Sequence, residues 1–288
     1  HDKPFFLALG TYKPHIPWHV PQKYFDLYPL DSIVIPEKQE NDLDDVPSIG
    51  RKLALANKDY TTIKDADQLK QAIRAYLACI SFADAQLGAI LDILDKSGYA
   101  DNTIIVFWSD HGWHFGTKEH WHKQTLWEEC TRIPFIIKAP GLTNKKSTCD
   151  RPVDMINVYP TLLSLCSLPS NPSLDGHDMT PLLTDPNSDW PFPAVTEIKA
   201  GNAAVRSQDW RYIRYNDGSE ELYNRKEDPH EWDNLASDPE YSKIIEEHRK
   251  WIPSSFAKPA PSKDNYYFDP GSYTFMNRQT GEFIDGKK

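Results

Sequence analysis

The chain has 288 residues, 39% of them apolar and 26% charged, with a net charge of −10. That composition is ordinary for a globular fold large enough for one big domain, or one with a smaller appendix. An acidic chain of this kind carries no basic nucleic-acid footprint, and no run approaches 18 apolar residues, so no membrane span is expected.

The chain opens His1-Asp2-Lys3-Pro4 and runs directly into Phe5-Phe6-Leu7-Ala8-Leu9, which reads as a strand over 4–10. It has no initiator methionine and no signal peptide, and is expected to be a piece of a longer protein. Residues 11–22 hold three prolines, which excludes a helix interior. They form a loop carrying Lys13, His15 and Trp18, and loops leaving strands are where function concentrates. Residues 23–65 read as polar and irregular, and the acidic run Glu40–Asp45 within them as a solvated loop.

The clearest helix spans 66–97. Leu69, Ile73, Tyr76, Ile80, Ala83, Leu87, Ile90, Leu91 and Leu94 follow a 3.6 period, and Gly98 is the stop. Ile104–Trp108 then reads as a buried parallel strand ending in Ser109-Asp110-His111-Gly112. In open α/β sheets ligands sit outside the carboxyl ends of strands, so a carboxylate beside an imidazole there marks a metal or anion site. His111, His114, Lys118, His120, His122 and Lys123 put six cationic or proton-donating groups near that strand end. One sulfate-sized anion needs about two, so the surplus suits a second anion such as a ring carboxylate.

Residues 124–131 read as helical, 133–138 as a strand, and 153–166 as a helix with a proline in or near its first turn. Residues 203–218 read as two strands joined by a turn, 221–224 as a third, 237–252 as a surface helix, and 253–288 as an extended tail. Arg132 reads as a structural ion-pair residue. None of the cysteines 79, 130, 149 and 166 is spaced for a zinc ribbon. Cys79 and Cys130 read as buried thiols, and pairing of Cys149 with Cys166 stays open.

Three patches in order resemble a type I sulfatase, most closely the iduronate-2-sulfatase-like branch. They are Pro4–Ala8 with Lys13-Pro14-His15-Ile16-Pro17, then Ser109-Asp110-His111-Gly112-Trp113 through Trp121-His122-Lys123, then Ser207–Tyr212 with Glu221-Leu222-Tyr223-Asn224. The resemblance implies an alkaline-phosphatase-like α/β fold with a central mixed sheet, to which the residues add a small C-terminal antiparallel sheet. The expected units are 1–195, part of the α/β core, 196–252, the small sheet and helix, and 253–288, the tail.

The resemblance also implies hydrolysis of a sulfate ester on a sulfated carbohydrate, one Ca²⁺ held by Asp110 and His111, and Lys123 on the sulfate and bridging oxygens. His15 would protonate the leaving alcohol, and Lys13, Trp113 and His122 would touch substrate. A periplasmic, secreted or lysosomal location follows from the same likeness. One departure is large. The formylglycine motif, Cys or Ser followed by x-Pro-x-Arg, is absent, because Ser81, Arg132, Arg151 and Leu168 stand where proline should follow each cysteine. The formylglycine is therefore expected upstream, in a missing N-terminal portion of the same enzyme. The rival readings are a phosphoester or phosphonate hydrolase of the same superfamily and a non-catalytic carbohydrate-binding relative.

Overall fold

The computed structural model describes residues 3–143, 146–256 and 266–285. Chain order begins with helices α1 (Gln22–Phe25), α2 (Ser48–Ala54), α3 (Asp59–Asp65) and α4 (Leu69–Lys96). The stretch 23–65 thus contains two helices of seven residues that its polar composition conceals. Their buried residues are Gly50, Leu53 and Ala54 in α2 and Tyr60 in α3, and Leu53 and Ala54 join a core cluster with Leu126, Trp127 and Ile213.

Helix α4 is the long element that the 3.6 period predicts. It stops where Gly98 takes a positive φ of 77°, the left-handed closure glycine provides most easily. Arg74 donates to the Phe25 carbonyl at 3.1 Å, and the Tyr28 and Ser81 hydroxyls meet at 2.6 Å. Both contacts tie α4 to the α1 region. By length and apolar composition α4 is comparable with a membrane-crossing helix. The apolar-run criterion overlooks it because charged residues interrupt the run.

Strand β1 (Ile105–Trp108) pairs antiparallel with β4 (Phe135–Lys138), Trp108 opposite Phe135. The expectation of a buried parallel strand is corrected, because β1 is half-buried and Trp108 is exposed. Between the two lie the short hairpin β2 (His114–Phe115) and β3 (Trp121–His122), and the single-turn helix α5 (Glu128–Thr131). α5 is half the helix expected over 124–131, since Gln124 sits at a positive φ of 76°, outside helical space. Residues 5–9 pair with no strand among the described residues and are exposed, Phe6 by 86%. The expected strand there has apolar character but no neighbour to complete a ladder.

Helices α6 (Val158–Leu165), with Pro160 in its first turn, and α7 (Thr180–Thr184) lead into a four-stranded antiparallel sheet of β5 (Ala194–Glu197), β6 (Ala203–Arg206), β7 (Trp210–Arg214) and β8 (Glu220–Asn224). The expected small sheet gains β5, which straddles the 195/196 boundary. Val205, Tyr212 and Leu222 face Ile245 of α8 (Ser242–Arg249). The tail is corrected from extended to a three-stranded antiparallel sheet, β9 (Tyr266–Asp269), β10 (Thr274–Asn277) and β11 (Phe283–Asp285). Its residues 257–265 and 286–288 lie outside the described residues. All four cysteines are free thiols, Cys79 and Cys130 buried as expected and Cys149 and Cys166 exposed. The chain is therefore α/β with antiparallel sheets, including a small C-terminal one.

Two buried ionic assemblies lock the parts together. The β2–β3 turn places Gly116, Lys118 and Glu119 all at positive φ, a costly conformation for the two non-glycine residues. The turn is held by Lys118, 2% exposed, whose ammonium donates to the Asp42 carboxylate at 2.6 Å and to the Glu231 carbonyl. Asp42 therefore sits buried, contrary to the solvated loop expected for 40–45. In the second assembly Arg211 of β7, also 2% exposed, pairs with Glu128 of α5 and, at 2.6 Å, with Glu231. Arg206 joins Glu128 at 3.1 Å. Arg132, by contrast, makes no ion pair among the described residues and is exposed.

Removing one partner of a buried pair strands a charge, which costs about 3–5 kcal/mol. Lys118→Met is accordingly expected to lower unfolding stability by about that amount in urea titration, and Asp42→Asn added to it to recover part of the loss. Burial pushes the Glu128 carboxyl up, but Arg211, Arg206 and Arg225 outweigh it and hold the group at about 2, below its ordinary 4.5. The resulting stability is fully present above 4.5 and fades as pH falls through about 2. Glu128→Gln should flatten the acid limb of stability against pH in that window. An unchanged limb would show that Glu128 does not drive acid unfolding.

Candidate functional site

The site grows from the end of β1. Gly112 and Trp113 donate their backbone N–H groups to the carbonyls of Cys130 and Glu129, both at 2.6 Å. A Cβ on Gly112 would lie 2.1 Å from the Glu129 oxygen, so only glycine allows this approach. The chain leaving β1 is thereby fastened to α5, and Asp110 and His111 are held at the bend before it.

His111 Nδ1 lies 2.8 Å from the Gly112 carbonyl. Only a donor suits that oxygen, so the proton belongs on Nδ1 and the lone pair on Nε2. Nε2 lies 3.5 Å from Asp110 Oδ2. Two acceptors face each other there, an arrangement that a shared cation or a proton on Nε2 would relieve. Asp110 is largely exposed, at 82%.

An aromatic cluster backs this pair. The Trp113 ring is 4.8 Å from His122, 5.2 Å from Tyr76 and 6.0 Å from Trp18, and Trp113 is 7% exposed. Its indole N–H is buried without an acceptor among the described residues. Burial, followed by the Asp110 charge, pushes the Tyr76 hydroxyl up to about 12. Tyr76 thus shares the electrostatic environment of Asp110. Helical periodicity marks Tyr76 only as core, and no sequence signal sets it apart.

Trp18 brings in the proline-rich loop. Its indole donates to the Pro14 carbonyl at 2.9 Å, and both the Lys13–Pro14 and Ile16–Pro17 bonds are cis. His15 is exposed, with Nδ1 2.6 Å from the Ile16 carbonyl and its ring 4.9 Å from Tyr12. Lys13 turns inward, donating to Pro17 and His15 carbonyls. Among the described residues no hydrogen bond, ion pair or ring contact joins His15 or Lys13 to Asp110, His111 or Lys123. The loop reaches the site through Trp18.

His122 Nε2 lies 2.5 Å from Asp59 Oδ2, so that nitrogen already has a partner. Lys123 is half-buried, its ammonium pairs with no carboxylate among the described residues, and its carbonyl accepts from His120 at 2.9 Å. The six-cation argument is corrected here. His114 is fully buried between the Thr117 and Thr125 hydroxyls, and burial, then His120, holds it well below the ordinary histidine range. His120 is buried against the Ala54 carbonyl, and Lys118 on Asp42. Only His111, His122 and Lys123 of the six can face a ligand. Residues at hairpin spacing look alike in sequence whether they pin the hairpin or line its mouth.

Known proteins resemble this chain in sequence and fold. Residues 1–168 match the sulfatase family profile, and residues 116–256 match that of the N-sulphoglucosamine sulphohydrolase C-terminal region. A sulfatase of Formosa agariphila is 39% identical over 292 residues, covering 100% of this chain and 56% of its own length. The chain thus spans little more than half of that relative. A solved 2-O GAG sulfatase structure is 26% identical with a TM-score of 0.65, over 76% of this chain and 51% of its own. The phosphonate monoester hydrolase of Agrobacterium radiobacter shares the fold with a TM-score of 0.73 at 23% identity, over 87% of this chain and 56% of its own. With its alkaline-phosphatase-like α/β fold and more than half its length under one family profile, the chain belongs to the sulfatase family.

Proposed function

We propose that this chain supplies part of the active site of a sulfuric ester hydrolase of the iduronate-2-sulfatase-like branch, acting on a 2-sulfated, uronate-containing glycan. The observation that carries this is the Asp110–His111 pair, with an imidazole lone pair facing a carboxylate at 3.5 Å, and the Lys123 ammonium just after the neighbouring hairpin, which pairs with no carboxylate among the described residues. That donor set fits Ca²⁺ in part. Asp110 offers hard oxygen and His111 a softer nitrogen, and no group of three or more metal-ligating side chains forms among the described residues. The remaining ligands belong to another segment.

In this reading Asp110 and His111 hold the metal, which when bound supplies charge stabilisation of the transferring group. Lys123 is a compact cation that suits a sulfate oxygen without bidentate demands. His15, with Nδ1 held on the Ile16 carbonyl and Nε2 outward, would donate to the leaving oxygen in its doubly protonated form. Lys13 and His122 would reach the anion by leaving their present partners, the Pro17 and His15 carbonyls and Asp59, and the Trp113 N–H, without an acceptor among the described residues, awaits one from substrate or from the completing segment.

The nucleophile, a formylglycine, comes from an N-terminal portion of the same enzyme. The surface supports such a partner, because Phe6 (86%), Ile93 (69%), Leu7 (66%) and Ile136 (60%) are exposed, as on a core cut open. Action on a sulfated glycan suits a periplasmic, secreted or lysosomal enzyme. A phosphonate or phosphoester hydrolase is the second reading, favoured by the TM-score of 0.73 to such an enzyme.

Two outcomes are expected. The 288-residue chain by itself should release no 4-methylumbelliferone from its sulfate ester, because positioning groups cannot replace a nucleophile. Turnover at the rate of a complete sulfatase would refute the two-part site. In the intact enzyme Lys123→Ala should cut kcat/KM for a 2-sulfated uronate disaccharide about 100-fold or more without altering the Ca²⁺ requirement, whereas Asp110→Asn should raise the Ca²⁺ needed. A preference for phosphonate esters over sulfate esters would favour the second reading.

A further inference from the structure

A second cavity, of about 320 Å³, opens where α8 meets the four-stranded sheet and the 190–193 segment. No residue of the Asp110 site lines it. Its walls combine aromatic faces with planar polar groups. Trp251 is 42% exposed and meets Phe192 edge-on at 6.3 Å, and Trp210 lines the same cavity. Trp190 backs Phe192 at 5.1 Å and is anchored by its indole on the Pro152 carbonyl at 3.0 Å. The aromatic wall is therefore built from beneath.

Among the polar groups, Arg151 donates to the Gln208 side-chain oxygen at 2.5 Å and to the Asn187 carbonyl at 3.4 Å. It pairs with no carboxylate among the described residues, although the chain carries an excess of ten negative charges. The Gln208 amide N–H groups have no hydrogen-bond acceptor among the described residues, and Glu247 adds an acceptor. His248, also in the wall, is spent: Nδ1 is 2.7 Å from the Ile244 carbonyl and Nε2 2.8 Å from the Ser207 hydroxyl.

The mixture discriminates between occupants. A purely apolar ligand would leave the Arg151 and Gln208 donors unsatisfied. A bare anion would be repelled by Glu247 and would have no use for an indole face. A pyranose uses both, with C–H surface on the Trp251 ring and hydroxyls on Arg151, Gln208 and Glu247. The volume lies at the small end of ligand pockets and suits one ring rather than a chain.

We propose that this cavity is an accessory subsite that holds a non-reacting sugar ring of the polysaccharide substrate. The proposal rests on the carbohydrate reading above and adds a second contact outside the reacting centre. The cavity wall is also tied to the site. Arg206, next to Ser207 and Gln208, is the residue that grips Glu128 of α5 at 3.1 Å.

The test is isothermal titration of the full 288-residue chain with a hexasaccharide of alternating 2-sulfated uronate and hexosamine, and with its desulfated form. Both should bind. Arg151→Gln should weaken both by about tenfold, the size of a lost hydrogen bond to a charged group, Trp251→Ala should weaken both about as much by removing the aromatic face, and Trp251→Phe should keep most of the affinity. Trp251 is exposed, so its replacement leaves the core intact, and an unshifted Tm confirms folding. Lys123→Ala should weaken only the sulfated form. If the wild type binds neither sugar, or if Trp251→Ala and Arg151→Gln bind like wild type, the subsite is refuted. If the intact enzyme hydrolyses no sulfate ester while the Trp251 effect persists, the catalytic reading fails and the subsite stands.

Discussion

Arg211 holds the functional end of the molecule to its scaffold. Its guanidinium lies in the small sheet, almost without solvent, and grips Glu128 and Glu231 together. Glu128 opens α5, and the carbonyls of α5 are what fasten Gly112 and Trp113. Position is thus relayed from a rigid four-stranded sheet, through an ionic joint, to the bend that presents Asp110 and His111. Burying several charges in one place is expensive unless each finds partners. Here opposite charges pair across the joint, although Arg211 Nε, Arg225 Nε and Glu231 Oε1 find no hydrogen-bond partner among the described residues, so the joint is held by charge more than by hydrogen-bond geometry.

The same joint explains why the two halves of this chain form one unit. Glu231, from the segment after the sheet, touches Arg211 with its carboxylate and Lys118 with its carbonyl. Lys118 in turn forces the hairpin turn into left-handed backbone that a solvent-exposed lysine would not keep. The turn, the sheet and the 40–46 segment are therefore interdependent, and the hairpin carrying His122 and Lys123 inherits its placement from them.

Much of the fold was legible because periodicity reports the type of element, although not its burial: of the α4 stripe Ile73 is buried while Ile80 is exposed. Helix α4 follows its apolar stripe, and β6, β7 and β8 follow from short β-rich runs between turns. What escaped was contextual. Residues 5–9 have strand composition, yet a strand exists only with a partner, and composition names none. Asp42 lies in an acidic run that looks solvated until a lysine 76 residues away is folded onto it. Of the site, the Asp110–His111 bend lies within one run of sequence and was legible, whereas the packing of Trp113 on His122 was not. The burial of His114, His120 and Lys118 was not, because a titratable residue carries no mark of which side of a hairpin it faces. Tyr76 was hidden by the very stripe that revealed α4.

The packing of Trp18 against Trp113 and Trp121, at 6.0 and 6.5 Å, has an optical consequence. Indoles this close couple their electronic transitions, which gives the near-ultraviolet circular dichroism a component belonging to the group rather than to any single ring. Trp113 and Trp121 are fixed by the hairpin and by α5, while Trp18 rides on the proline-rich loop. Any excursion of that loop would separate one oscillator from the other two, so the protein carries its own gauge of loop position without an added label.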